Sequence, residues 1–296
     1  MVANLSVTCF SARTPFFFTV GSFSRDTNML RLFPLILLFT LPMSVPADTI
    51  TGAGDPWPPF LDPDHPQQGV AVIIAREAFK TQGHDLEFTF VPWARAMYEV
   101  KAGSYDVLIG TWWTQKRTEF LMYSEPYLTN EIKFIKRKPY LTNEIKFIKR
   151  KGDPFEFEGL DSLDGKTVGT VRDYGYGDDF ANADNFTHSP AADLVTNVRM
   201  VARDRLDLTL GSELVVRSLI TREDPSLMEQ IEFTENALSS QALHVTSGLA
   251  NPRHVMVIEA FNKGLEAIKA NGTFDRILEE NNLKGFARNQ SLQTSQ

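Results

Sequence analysis

Short apolar runs alternate with helix-like patterns along most of the chain. Residues with apolar side chains recur every three or four positions in six segments, which predicts helices at residues 69–83, 93–101, 191–203, 212–221, 255–270 and 273–281. Runs rich in β-branched residues predict strands at residues 49–52, 86–91, 105–109, 166–171, 206–210 and 231–233. Strands that alternate with helices in this way are typical of an α/β fold with mainly parallel strands.

The apolar run near the N-terminus has a different character. From Met29, a short positive region leads into LFPLILLFTLPM and then into SVPAD, which is the pattern of a secretory signal peptide with cleavage after Ala47. The run is too short for a membrane span, which needs about 20 apolar residues. We therefore expect residues 29–47 to be a signal peptide and the mature chain to begin at Asp48.

Residues 1–28 fit no part of that signal peptide. They are best explained as an over-called extension ahead of a true start at Met29, although a long n-region is the alternative. The single cysteine of the chain, Cys9, lies in this extension, and no cysteine follows the cleavage point. We expect a protein that is not a lipoprotein and that is exported to a bacterial periplasm.

Composition narrows the class of protein further. The 296 residues carry a formal net charge of −7, with 43% apolar and 23% charged residues, which is ordinary for a soluble globular chain. An acidic balance argues against nucleic acid as the main partner, because binding to phosphates needs a basic surface. The spacing of cysteine and histidine fits no zinc site, so neither a metal nor a cofactor is expected. The length suggests about two domains.

One internal repeat is exact. Residues 126–138 and 139–151 both read PYLTNEIKFIKRK. Solenoid repeats are longer, at about 20–50 residues, so we interpret this as a recent tandem duplication or a sequence artefact. Because closing a loop of this size costs only a few kcal/mol, a fold that needs one copy is expected to extrude the other as a loop or hairpin.

Eight segments carry a resemblance to a known family when they are taken in order. They are PWPPF at 56–60, VPWARA at 91–96, YDVLIG at 105–110, TQKR at 114–117, YSEPY at 123–127, LDGKTVG at 163–169, RLD at 205–207 and FNKGLEAIKANGTFDRIL at 261–278. Together they resemble the bacterial extracellular solute-binding proteins of family 3, which are the periplasmic receptors of ABC transporters for polar amino acids. The resemblance covers essentially the whole chain from residue 48.

The resemblance implies a two-lobe α/β fold of the periplasmic-binding-protein type, with two crossover hinge segments and a ligand cleft between the lobes. It places lobe 1 at 48–127, the duplicated hinge segment at 128–151, lobe 2 at 152–236, and the second crossover with the rest of lobe 1 at 237–296. It also implies a monomer that is not an enzyme. Such a protein captures a small polar, carboxylate-bearing solute by lobe closure and delivers it to an ABC transporter permease.

Several residues of lobe 1 match cleft positions of the family. Trp57 and Trp93 align with aromatic residues that line the cleft and offer flat faces to apolar or cationic groups, with core packing as the alternative for each. Arg117 aligns with the arginine that holds a ligand carboxylate through a bidentate guanidinium, with a surface arginine at a helix start as the alternative. Thr111 or Gly110 is placed to add a backbone N–H to the same carboxylate. Trp112 occupies the place of a small hydroxyl residue and is expected to reshape the cleft and contact the ligand.

Other candidate residues are less closely matched. Arg95 either points into the cleft or faces solvent. The turn after the strand at 166–171 offers backbone N–H groups to an anion, with Arg172 and Tyr174 as the candidate side chains. Ser212 stands where amino-acid receptors of the family place an aspartate for the α-ammonium group. Either the neighbouring Glu213 replaces it or the ligand lacks a conventional ammonium.

Two other classes of function stay open. An enzyme on the same fold, of the cyclic-acid dehydratase type, needs a proton-transfer group in the cleft, and Glu213 is the one acid–base candidate. The five histidines are scattered and form no metal spacing. A ligand-sensing role is also possible, but it needs a separate membrane receptor as partner.

Overall fold

The structure is a computed structural model that describes residues 48–128 and 144–283. The predicted extension at 1–28, the signal peptide at 29–47 and most of the first repeat copy lie outside the described residues. The strands within the described ranges are β1 (Asp48–Gly54), β2 (His84–Phe90), β3 (Val107–Thr111), β4 (Leu121–Tyr123), β5 (Glu144–Arg150), β6 (Thr167–Val171), β7 (Thr187–Ala191), β8 (Leu208–Ser212), β9 (Ile231–Ser240) and β10 (His244–Gly248). The α-helices of the same ranges are α1 (Val70–Thr81), α2 (Trp93–Lys101), α3 (Asp178–Asn182), α4 (Leu194–Ala202), α5 (Glu213–Glu223), α6 (His254–Ala270) and α7 (Thr273–Glu280).

The strands form two sheets with the same plan. The first sheet has the order β2-β1-β3-β10-β4 and the second has the order β7-β6-β8-β5-β9. In each sheet the first three strands are parallel, and the last two are joined by antiparallel pairing. Helices α1, α2, α6 and α7 pack with the first sheet to form lobe 1, while α4 and α5 pack with the second to form lobe 2. The predicted two-lobe α/β fold is confirmed.

Two connections join the lobes along the chain, one from β4 to β5 and the other from β9 to β10. Their described parts pair at Leu128 and Leu243, where the Leu243 N–H donates to the Leu128 carbonyl oxygen at 3.0 Å. The predicted residue boundaries of the lobes remain predictions, although β9 extends to Ser240, beyond the predicted end of lobe 2 at residue 236.

The second repeat copy is part of a sheet. Its residues form β5, which lies between β8 and β9 in lobe 2, and Ile145 and Phe147 are fully buried there. Lys149 of the same strand is also buried, and its Nζ donates to the Phe155 carbonyl oxygen and to Glu156, each at 2.7 Å. One copy therefore contributes a strand to the sheet, and the predicted extrusion of the other stays a prediction, because residues 129–143 lie outside the described residues.

Close packing of α1 on α6 holds lobe 1 together. Gly264 lies at this crossing, and a Cβ atom there would stand 2.0 Å from the carbonyl oxygen of Ala78. The two helix backbones therefore approach more closely than any larger residue permits.

Within residues 48–128 and 144–283, no helix combines the length and the apolar character that crossing a membrane requires.

Most helix positions follow the apolar spacing, and the exceptions have local causes. Helix α4 begins at Leu194 rather than at residue 191, because the side chain of Asp193 accepts the backbone N–H of Thr196 at 2.7 Å and caps the helix. Strands β4, β7 and β10 are short and were missed, since three to five residues carry too little periodicity to be distinguished from loops.

Candidate functional site

A narrow cavity lies between the two lobes, at the C-terminal ends of parallel strands, where loops of α/β folds place ligands. Its volume is about 20 Å³, which is room for roughly one water molecule. We call it the inner cavity. Its lining residues are Asp55, Trp57, Leu61, Trp93, Gly110, Trp112, Arg117, Tyr174 and Gly175. Five of the ten predicted site residues are thus brought together.

Trp57 is held at the cavity by a tight turn after β1. Its N–H donates to the Leu61 carbonyl oxygen at 2.7 Å, and the Leu61 N–H returns a hydrogen bond of 3.0 Å. The indole is 4% exposed, stacks on Phe60 at 4.8 Å and meets the edge of Trp112 at 5.6 Å. The turn therefore places Trp57 in the wall of the cavity and packs its ring against Phe60 and Trp112 of lobe 1.

Trp112 is the centre of an aromatic cluster that spans both lobes. Its ring lies 5.7 Å from that of Tyr174, which in turn lies 5.8 Å from Trp93. The indole is 5% exposed, and its Nε1–H has no hydrogen-bond partner among the described residues. A buried donor without an acceptor is costly, so this N–H is available to an acceptor atom of a ligand or to water.

Arg117 is a buried cation. It is 6% exposed, and its guanidinium donates from Nη1 to the Trp112 carbonyl oxygen at 2.8 Å and from Nη2 to the Asp173 carbonyl oxygen at 2.6 Å. Burial lowers the pKa of Arg117. Among the described residues, no carboxylate forms an ion pair with it within 4.0 Å. Carbonyl dipoles compensate the charge only in part, so an anion in the cavity would be bound favourably.

Asp55 and Tyr174 join the two lobes at the edge of the cavity. The Tyr174 hydroxyl donates to Oδ2 of Asp55 at 2.6 Å. Burial raises the pKa of Asp55 to about 7, and the hydrogen bond from Tyr174 offsets part of this rise. Burial and the neighbouring Asp55 carboxyl also raise the pKa of Tyr174. Near pH 7, the carboxyl group can therefore be either neutral or charged.

The Asp55 carboxyl predicts a pH dependence of stability. Because its folded pKa of about 7 exceeds the unfolded value of about 3.9, the folded state binds more protons between these values. Its contribution to the free energy of unfolding is therefore present below about pH 4 and is lost as the pH rises towards 7. We expect Asp55→Asn to remove this dependence on pH. The free energy of unfolding of the variant, relative to that of wild type, should therefore rise between pH 4.5 and pH 7.

Urea unfolding of both proteins at pH 4.5, 6 and 8 measures that difference. Asp179→Asn, which changes an exposed carboxylate on α3, is the matched control and should follow wild type at every pH. If the free energies of unfolding of wild type and Asp55→Asn differed by a constant amount across this range, the pKa of Asp55 would not be raised in the folded protein.

Further contacts hold the lobes against each other. The Trp93 Nε1–H donates to the Asp173 carbonyl oxygen at 2.8 Å, and the Gln115 N–H donates to Oδ2 of Asp178 at 2.9 Å. On the outer side, Arg222 of α5 forms a bidentate pair with Asp62 of lobe 1, with N–O distances of 2.5 and 2.6 Å. The described structure is thus a closed arrangement of the two lobes.

We expect the ion pair between Arg222 and Asp62 to favour the closed arrangement without contacting the ligand. The apparent affinity depends on the free energy of closure, because a ligand that needs the closed state binds in proportion to the population of that state. Arg222 is partly exposed, so we expect its removal to cost about 1 kcal/mol. Arg222→Ala should weaken the affinity of any cleft ligand roughly fivefold in titration calorimetry.

Arg217→Ala is the control for this variant, because Arg217 pairs with Glu213 inside lobe 2 at 2.7 Å. Its affinity should match wild type. Equal affinities for Arg222→Ala and wild type would mean that the pair forms without favouring the closed state.

The other five predicted site residues lie outside the inner cavity. Thr111 is buried and shares a hydrogen bond with Thr246 at 3.0 Å, while Arg95 is exposed and pairs with Glu99 at 2.7 Å. Arg172 is exposed and lines a separate groove. Ser212 is fully buried at the start of α5, and its Oγ has no partner among the described residues.

Glu213 does not line the inner cavity. Its carboxylate pairs with Arg217 at 2.7 Å and with Lys146 at 3.3 Å, both within lobe 2. These two cations engage the carboxylate, so in the described arrangement it does not stand in for an aspartate at position 212. Within the described ranges, no group of three or more histidine, cysteine, aspartate or glutamate side chains is placed to hold a metal ion.

Three lining residues were not singled out from the sequence. Asp55 is the first residue after β1, which is a position that loops use for ligands and was a usable signal. Leu61 closes the turn of Trp57. Gly175 lies against lobe 1, where a Cβ atom would stand 2.6 Å from Nη1 of Arg117, so only its contact across the lobes reveals its role.

Comparison with solved structures shows which proteins share this fold. Holo ArgBP from T. maritima is 18% identical with a TM-score of 0.60, and the match covers 80% of this chain and 96% of that one. An ancestral arginine-binding protein bound to arginine is 20% identical with a TM-score of 0.63, covering 79% and 98%. A histidine kinase sensor domain with similarity to periplasmic binding proteins is 19% identical with a TM-score of 0.64, covering 79% and 96%. The fold is therefore that of two-lobe binding proteins.

The family follows from the sequence. The model of the bacterial extracellular solute-binding proteins, family 3, matches residues 50–283, so the chain belongs to that family. The predicted resemblance is confirmed. No curated protein matches this chain.

Proposed function

We propose that this protein captures a small carboxylate-bearing solute, an amino acid or a related compound, between its lobes and delivers it to an ABC transporter permease. The observation that carries the proposal is the Arg117 guanidinium. It is buried in the inner cavity and bonded to two backbone carbonyl oxygens, with no ion pair to a carboxylate among the described residues. A carboxylate is the planar partner that its two N–H edges match.

The aromatic lining indicates the rest of the ligand. Trp57, Trp93 and Trp112 surround Arg117, and the free Nε1–H of Trp112 supplies a second donor. Such walls favour a stem with apolar surface, or a cationic group over a ring face. Because the inner cavity is narrow in the closed arrangement, a ligand is expected to enter before the lobes close and to displace Tyr174 from its present contacts.

The neighbouring structures support an amino-acid-type ligand without defining it. One of them, the ancestral protein, is bound to arginine. The buried Ser212 and the ion-paired Glu213 argue against recognition of an α-ammonium group at the usual place, since neither residue lines the inner cavity. We therefore propose the carboxylate as the shared feature of the ligands.

The cellular setting is part of the same proposal. Membership of an extracellular solute-binding family and the signal-peptide pattern support export to the periplasm. There, a monomer with a cleaved signal peptide would diffuse between the outer membrane and the permease. Transport of a labelled hit by cells that lack this protein, with and without the restored gene, tests delivery.

A thermal-shift screen tests ligand binding. Amino acids, ω-amino acids and small carboxylic acids are compared with the amide of each, which removes the negative charge and keeps the shape. A ligand at 100 times its Kd should stabilise the protein by about 2.7 kcal/mol. We expect carboxylates to produce shifts and their amides to produce none. Hits among amides as strong as those among acids would remove the basis for a carboxylate ligand.

The closed cleft also holds one group that suits proton transfer. Burial raises the pKa of Asp55 to about 7, close to the value of an efficient general acid or base near neutral pH. This observation keeps an enzyme on the same fold as a second candidate, with Asp55 in the role for which Glu213 was considered. A product assay on cyclic carboxylic acids separates the candidates, because a binding protein returns its ligand unchanged.

A further inference from the structure

The place of β5 in the second sheet is defined by buried side chains. The strand lies between β8 and β9 and pairs antiparallel with both. Ile145, Phe147 and Ile148 are fully buried there, and the ring of Phe147 lies 4.7 Å from that of Phe157. Lys149 is buried as well. A segment that fills this place therefore needs apolar residues at three fixed positions and a lysine directly after them.

Both repeat copies carry the sequence that this place requires. The seven residues of β5, EIKFIKR at 144–150, recur without change at 131–137. Residues 131–137 lie outside the described residues, so the comparison is one of sequence. Because identical side chains make identical contacts in the same place, burial and pairing with β8 and β9 do not distinguish the copies. Any difference in free energy comes from the connections on either side of the strand.

The connection before β5 fits the first copy by its length. Leu128 faces Leu243 in an antiparallel bridge, and Glu144 faces Ser240 where β5 pairs with β9. From Ser240 to Leu243 the chain takes three residue steps, which is about 10 Å of extended backbone. Three steps onward from Leu128 lead to Glu131, in the register that Glu144 holds. A direct crossing therefore brings the first copy to the sheet, whereas the described arrangement has 15 residues in this connection.

The connection after β5 has room for the surplus residues. The strand ends at Arg150, and Lys151 and Gly152 follow in an exposed turn. A Cβ atom added at Gly152 would meet nothing within 4 Å. If the first copy filled the sheet, the surplus of 13 residues would leave from this turn into solvent. Both arrangements then carry one loop of the same excess length, so the entropy of closing it largely cancels between them.

We infer that the second sheet accepts either repeat copy, so that the chain exchanges between two arrangements. In one, residues 144–150 form β5 as described, and in the other, residues 131–137 occupy that place and the surplus precedes Gly152. The exchange changes the length of the first connection between the lobes and leaves the side chains of the sheet the same. Because a strand must leave the sheet, the exchange requires local unfolding. It is independent of the proposed function, since no cleft residue takes part.

Truncation of the buried phenylalanine in each copy tests the exchange. Phe147→Ala, Phe134→Ala and the double variant are refolded from urea, so that either copy can enter the sheet, and their thermal unfolding midpoints are compared with wild type. Loss of a buried phenylalanine lowers the midpoint of a protein of this size by about 10 °C. We expect each single variant to lose less than about 3 °C, because the intact copy fills the sheet, and the double variant to lose the full amount.

A variant that lacks residues 139–151 is the matched control, because it holds one copy. In that background, Phe134→Ala should cause the full loss. Amide spectra of the full chain give a second measurement: Gly152 and Leu243 border the two connections, so each should give two cross-peaks in wild type and one in either single variant. If one single variant lost as much as the double variant while the other lost nothing, the sheet would use one copy only and the inference would be overturned.

Discussion

Arg117→Ala should raise the Kd of a carboxylate ligand about 100-fold or more. The guanidinium is buried and has two carbonyl partners, so it is held in place before a ligand arrives. Removing one partner of a buried, charge-assisted pair costs about 2–5 kcal/mol, of which part is the penalty of leaving the other charge unpaired. Titration calorimetry with a hit from the screen measures the loss directly.

Two further variants serve as comparisons for Arg117→Ala. Arg117→Lys keeps the charge and loses the planar fork, so we expect it to recover only part of the affinity. Arg95→Ala removes an exposed arginine that pairs with Glu99, and it should bind like wild type. An Arg117→Ala protein that is folded and binds the ligand with wild-type affinity would disprove the carboxylate clamp.

Gly264→Ala should destabilise lobe 1 by about 2–3 kcal/mol. The added Cβ would stand 2.0 Å from the Ala78 carbonyl oxygen and 2.5 Å from its carbon, and neither backbone atom can move without displacing α1. Overpacking typically costs about 1–3 kcal/mol and occasionally more; a clash with backbone atoms of the facing helix lies at the upper end, about 3–4 kcal/mol, and a gain of about 1 kcal/mol in helix propensity offsets part of it. We expect the midpoint of thermal unfolding to fall by roughly 5–10 °C.

Lys263→Ala is the matched control, because it changes the adjacent, exposed residue of the same helix. Its unfolding midpoint should stay close to wild type. If Gly264→Ala were as stable as this control, α1 and α6 would not be in the close contact described here.

Local sequence patterns predicted some helices and strands correctly and missed others. Helix α2 covers the predicted residues 93–101, because its apolar stripe is regular and Pro92 precedes it. Strand β5 was missed, since its sequence occurs twice and nothing local tells which copy joins the sheet. The place of this strand depends on pairing with β8 and β9, and those strands are more than 50 residues away in sequence.

The residues of the candidate site were also predictable from the local sequence only in part. Arg117, Trp57 and Trp93 were singled out because they lie in short motifs of a known family, and Trp112 because it departs from the pattern of that family. Asp55 was missed and Glu213 was considered, although both are acids beside a strand end. Their difference lies in their partners: Asp55 contacts Tyr174 across the lobes, and Glu213 pairs with Lys146 and Arg217 within lobe 2.

The sequence by itself determined the α/β class, the family, the order of most elements and the arginine that faces the cleft, because these depend on periodicity and on motifs within a few residues. The tertiary structure decided which polar side chains share the space between the lobes. The Asp55–Tyr174 bond joins residues 119 positions apart, and the inner cavity beside it is lined by residues of both lobes. Such contacts depend on how the two lobes pack against each other, and the local sequence pattern of either lobe does not determine this packing.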